Sequence, residues 1–70
     1  MIEVYVIVEG DENYQNNINV YHKHYDALSF VMKYIKEKEP EKWFPKNCHD
    51  GSLLWTKNNN WIRIETYHLK

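Results

Sequence analysis

The hydrophobic period of this chain changes from two residues to 3.6 and back again, which places one helix between strands. Ile2, Val4, Val6 and Val8 alternate with Glu3, Tyr5, Ile7 and Glu9, the two-residue period of a strand rich in β-branched side chains. The second face carries Tyr5 and Ile7, so this strand is apolar on both sides. An interior strand reads this way, and so does one with a face against a partner chain. From about Tyr25 to Glu39 the apolar residues recur instead at helical spacing. Ala27, Leu28, Phe30, Val31, Tyr34 and Ile35 share one arc, with Met32 at its margin. That arc is wider than the roughly 100° stripe a one-sided surface helix needs. Asp26 near its start and Lys36 and Lys38 near its end suit the helix dipole. Pro40 stops it and disfavours helical geometry at Glu39.

Turn chemistry separates the remaining strands. Gly10 to Asn17 is rich in Gly, Asp and Asn, which tolerate positive φ or bond their own backbone. It predicts a turn, followed by a second strand from Ile18 to Lys23 with Ile18, Val20 and His22 on one face. Glu41 to Gly51 reads as a loop. Leu53 to Thr56 is a short strand, and Lys57 to Asn60 a hairpin turn. From Trp61 to Leu69, Ile62, Ile64 and Thr66 alternate against Arg63, Glu65 and Tyr67. The expected fold class is α+β: an antiparallel sheet of three to four strands with one helix packed on it, in the order β-β-α-β-β. Val6, Leu28, Val31, Ile35, Ile62 and Ile64 agree with both periodicities and form the expected core.

With 70 residues and a single cysteine, Cys48, the chain is expected to be one domain, 1–70, with no internal disulfide. A domain this short buries only about 60% of its unfolded surface, and its stabilising options are a metal, a partner subunit or a dense core. The hydrophobic content of 43% and aromatic content of 16% support the dense core. A net charge of −1 removes the basic footprint expected of a nucleic-acid binder. The opening residues lack the pattern of a signal peptide. No apolar run approaches the roughly 20 residues of a membrane span, so a cytoplasmic protein is expected.

The constellations that could carry chemistry are sparse. His22 and His24 have a metal-ligand spacing if both lie on a strand, with Cys48, His49 or His68 as further ligands. The simpler reading is two partly exposed histidines closing a strand. Cys48-His49-Asp50-Gly51 sets a thiol beside an imidazole and a carboxylate, but neighbours in sequence rarely face one another, and Asp50-Gly51 reads as a turn. The acidic pairs Asp11/Glu12 and Glu37/Glu39 sit where charge is solvated. An enzyme is not expected, and no cofactor is implied. The aromatics Tyr5, Tyr21, Trp43, Trp55, Trp61 and Tyr67 can fill a core, line an interface or stack bases, ranked in that order because the charge is near zero.

The opening Ile2-Glu3-Val4-Tyr5-Val6-Ile7-Val8-Glu9, with the length and element order, resembles the small Bacillus prophage proteins of the Yopt family, unrelated to the Yersinia protease of similar name. That resemblance implies a homodimer of subunits with one helix and about three strands. The strand to lose would then be Leu53–Thr56. It supplies no site residues. The expectation is a homodimeric protein-interaction module, a phage or prophage accessory factor with a possible host-protein partner. Tyr5, Ile7, Phe30 and Tyr34 are its candidate interface residues. The alternatives are a weak nucleic-acid-binding module using sheet aromatics with Lys33, Lys36 and Lys38, and a metal-dependent site at His22/His24. On this reading a chelator leaves the melting temperature unchanged. A marked loss of stability that disappears in His22→Ala would reveal a structural metal.

Overall fold

The computed structural model describes residues 2–38, 42–48 and 52–69. Strand β1 (Ile2–Gly10) and strand β2 (Gln15–Tyr21) form a hairpin. Helix α1 (His24–Glu37) follows, then β3 (Phe44–Asn47), β4 (Leu53–Lys57) and β5 (Asn60–Leu69). All five strands pair antiparallel in the order β2-β1-β5-β4-β3. The architecture is α+β, with one helix on one face of a five-stranded sheet.

The long pairing of β1 with β5 sets which residues meet the helix. Ile7 lies opposite Ile64, and Glu9 opposite Ile62. Partners in an antiparallel ladder point to the same face, so Tyr5, Ile7, Ile62 and Ile64 share one side. Trp55 of β4 joins them opposite Ile62. From α1, Ala27, Val31 and Ile35 are buried against this set. Leu28, Phe30 and Tyr34 flank them half-buried. Met32, at the margin of the arc, stays exposed. Phe30 reaches the sheet edge, its ring 5.9 Å from that of Tyr21.

Several expectations need correction. The sheet has five strands, because β3 lies in the segment read as a loop. Pro45 there suggests a break, yet an edge strand tolerates proline because only one of its sides is paired. Leu53–Thr56 is no dispensable strand: as part of β4 it joins β3 to β5 and buries Trp55. Strand β2 starts at Gln15 and ends at Tyr21, earlier than Ile18–Lys23, since pairing with β1 overrides the turn preference of Asn16 and Asn17. The register shifts between Ile7 and Val8, leaving Ile18 as the extra residue of a bulge. Both Ile18 and Tyr21 consequently pack on the core, while Val20 is exposed. Val6 belongs to the face away from the helix and is only half-buried; Ile7 takes the core position assigned to it. The helix stop at Pro40 lies outside the described residues.

The turns obey local chemistry. Asp11 Oδ1 accepts hydrogen bonds from the backbone N–H groups of Asn13 (2.8 Å) and Tyr14 (3.2 Å). Asn58 adopts φ 55° in the β4–β5 hairpin, where asparagine is well tolerated. Gly10 is required by close approach: a Cβ there would lie 2.4 Å from the Tyr14 carbonyl oxygen and 2.6 Å from the Trp61 ring.

Ile62 is wholly buried and Met32 is 43% exposed. Ile62→Ala is expected to cost about 2–5 kcal/mol, and Met32→Ala within about 0.5 kcal/mol. Denaturant midpoints check both; a Met32 shift as large as that of Ile62 would put the wrong helix face against the sheet.

Candidate interaction face and an adjoining cavity

The helix covers only one side of the sheet, so the even-numbered residues of β1 and the odd-numbered residues of β5 face away from it. Their partners follow from the ladder. Ile2 pairs with Leu69, Val4 with Tyr67, Val6 with Val20 and Glu65, and Val8 with Arg63. Leu54 lies opposite both Arg63 and Lys46, and Thr56 opposite both Trp61 and Phe44. This open face is apolar over much of its extent. Of the eight large hydrophobic side chains left exposed among the described residues, Ile2, Val20, Phe44, Tyr67 and Leu69 all belong to it. Ile2, Leu69 and Tyr67 lie toward one end of it, Val20 at its edge and Phe44 toward the other end; large contiguous apolar patches mark interaction sites.

A file of polar contacts runs along β5 through the centre of that face. The Arg63 guanidinium lies 4.9 Å from the centre of the Trp61 ring, a cation–π distance. Its Nη2 is 2.6 Å from Glu65 Oε2. The Tyr67 hydroxyl donates to Glu65 Oε1 at 2.8 Å. That hydrogen bond, and then the nearby carboxylate charge, raise the Tyr67 phenol above its ordinary pKa of 10.0. Arg63 and Glu65 therefore pair with one another on the apolar face, although Arg63 Nε is buried with no hydrogen-bond partner among the described residues.

The candidate interface residues divide. Ile7 is fully buried under α1, so the Tyr5–Ile7 face is filled by the protein's own helix. Tyr5 is half-buried there, its hydroxyl donating to Glu3 Oε2 at 2.7 Å and its ring edge-on to His24 at 5.2 Å. Phe30 and Tyr34 are half-buried on the helix and border a shallow depression with Lys33 and Glu37. Sequence reading missed the opposite face. Its signal was present in the alternation of β1, where Val4 and Val6 are as apolar as Tyr5 and Ile7.

The His22/His24 pair does not assemble on a strand, and most of the thiol constellation lies outside the described residues. His22 falls beyond the end of β2 and His24 opens α1, so the shared strand face that the spacing required is absent. Among the described residues no group of three His, Cys, Asp or Glu side chains could hold a metal ion. His68 Nδ1 lies instead 3.4 Å from Glu3 Oε1. Cys48 is half-buried, while His49, Asp50 and Gly51 lie outside the described residues. Lys33, Lys36 and Lys38 are exposed on the helix layer, away from the apolar patch.

A cavity of about 310 Å³ opens at one end of the sheet, where both hairpins and the end of α1 meet. Its floor is Glu9, whose Oε2 accepts a 2.6 Å hydrogen bond from the Tyr34 hydroxyl. Burial first, and then that bond, hold the Tyr34 phenol well above 10.0. Trp43 forms a wall, edge-on to Tyr34 with ring centres 6.2 Å apart. Its indole N–H donates to the Lys38 carbonyl at 2.7 Å, satisfying one of the carbonyls a helix end leaves unpaired. The ammonium groups of Lys38 and Lys57 stand 5.4 Å and 6.0 Å from the Tyr34 and Trp43 ring centres.

The fold and these surfaces define a small α+β protein with a one-sided helix layer and an uncovered apolar sheet. No protein-family model matches the chain, and neither a curated protein nor a solved structure is significantly similar to it. Among the described residues no helix is long and apolar enough to cross a membrane.

The Tyr34 contact carries a pH dependence of definite sign. An unfolded Tyr34 ionises near 10.0 while the folded one keeps its proton. The folded state then binds more protons, and stability falls as pH rises past that value. Wild-type protein is expected to lose melting temperature above about pH 10 more steeply than Tyr34→Phe. Parallel curves would contradict the account.

Proposed function

We propose that this chain is a non-enzymatic, homodimeric interaction module whose working surface is the open face of its sheet. The observation that carries the reading is the gathering of Ile2, Val20, Phe44, Tyr67 and Leu69 on the one face that no helix covers. Burying exposed apolar area is the main driving force for association, at about 25 cal/mol per Å². Five strands about 4.8 Å apart, over about 20 Å of length, present roughly 500 Å². Two copies face to face would bury on the order of 1,000 Å², the lower limit for a specific interface. The charges suit a self-match, since Arg63 and Glu65 supply one of each sign near the centre of the face.

The module acts by association rather than by chemistry. Its role as a phage or prophage accessory factor that binds a host protein in the cytoplasm belongs to the same reading. The lone cysteine is compatible with a reducing compartment. Single-stranded nucleic acid is disfavoured as a ligand because the net charge is −1 and the basic groups of this face are few: Lys46, and Arg63 already paired with Glu65, whereas phosphate binding needs several.

Sedimentation equilibrium at micromolar concentration is expected to give twice the chain mass of 8.6 kDa. Val20 is 53% exposed, so Val20→Glu leaves the subunit folded and should return the mass to that of one chain. A wild-type monomer, or a dimer indifferent to Val20→Glu, would overturn the reading.

A further inference from the structure

The end cavity carries groups that the interaction face does not use. On its floor Glu9 Oε2 is engaged by Tyr34, while Oε1 has no hydrogen-bond partner among the described residues and can accept a donor. Lys38 supplies a positive charge at the side, and no ion pair involves it among the described residues. Glu9 thus presents negative charge, and Lys38 and Lys57 positive charge, to one partly open cavity that Tyr14, Asn60 and Trp61 also line. About 310 Å³ is at the small end of ligand-pocket volumes.

Three ligand classes can be weighed against those walls. A simple cation would meet two lysines that already stand over the rings at 5.4 and 6.0 Å, the positions a cation would take. A stacked planar base finds those same ring faces covered, and Arg63 covers a face of Trp61 at 4.9 Å. A simple anion would meet the Glu9 carboxylate on the floor. A small molecule carrying both signs answers each wall: its ammonium group reaches Glu9, its carboxylate faces Lys38, and its body rests against Tyr14 and Trp61. We infer that this cavity binds a small zwitterion of the α-amino-acid class. Charge-assisted hydrogen bonds are about twice as strong as neutral ones, so both ends of such a ligand contribute to recognition.

The test is a nuclear magnetic resonance titration of the full chain, following the Gly10 and Asn60 amides and the Trp61 indole N–H. The probes are L-leucine, L-phenylalanine and L-glutamine. The tightest is compared with its N-acetyl derivative, which lacks the ammonium group, and its amide, which lacks the carboxylate. Saturable shifts at these three residues are expected, with each analogue weakened about tenfold, near 1.4 kcal/mol. Lys38 is exposed, so Lys38→Met keeps the fold. It should abolish the preference over the amide while sparing that over the N-acetyl derivative; Glu9→Gln should do the reverse. Equal binding of all three forms, or no saturable shift with any probe, would overturn the inference. Trp61 borders both the cavity and the open face, so the open face is tested separately at Val20 and Tyr67, which lie outside the cavity lining.

Discussion

Burial of Ile7 between β5 and the helix is the contact on which the rest of the structure depends. It sits opposite Ile64, near Ile62, under Ala27, Val31 and Ile35, and none of its surface reaches solvent. With no disulfide available, this cluster must supply much of the 5–15 kcal/mol typical of a folded domain. Choosing the Ile7 side for the helix has a direct cost. The same strand carries Val4 and Val6 on its other side, and one 14-residue helix cannot cover both. The apolar open face is therefore a consequence of how the core is built.

The cavity follows from the way the sheet ends. Trp61 crosses Gly10, where any Cβ would collide with it, and the ring shields backbone that glycine leaves bare. Opposite, Trp43 ties the chain after α1 to the Lys38 carbonyl, holding the helix end against the sheet. The Tyr34–Glu9 bond then links helix to β1 across the gap. Two of these contacts join distant parts of the sequence and the third spans five residues; together they make a pocket with charges of both signs.

Much of the fold was legible in the sequence because its long elements have clean periods. α1 and β5 lie within a residue or two of their expected limits, and the turn at Asn58 follows asparagine chemistry. Short β3 was not legible: Phe44-Pro45-Lys46-Asn47 has no alternation, and it is a strand only because β4 offers it an edge. The face of β1 was ambiguous for a physical reason. Val6 and Ile7 are equally apolar, so local sequence cannot say which one the helix selects. The interaction face shared that ambiguity, since reading Val6 as core amounted to reading Ile7 as exposed. The cavity was invisible because Glu9 and Tyr34 lie 25 positions apart and meet only through the tertiary fold.

In the proposed dimer a second copy covers the open face, while the helix face packs the chain's own core. An isotope-filtered nuclear Overhauser experiment on an equal mixture of labelled and unlabelled chain tests this most directly, because it detects only contacts between molecules. Intermolecular contacts are expected from the Val6 and Val20 methyl groups and the Tyr67 ring. Contacts confined to Phe30, Met32 and Tyr34, or none at all at millimolar concentration, would contradict that arrangement.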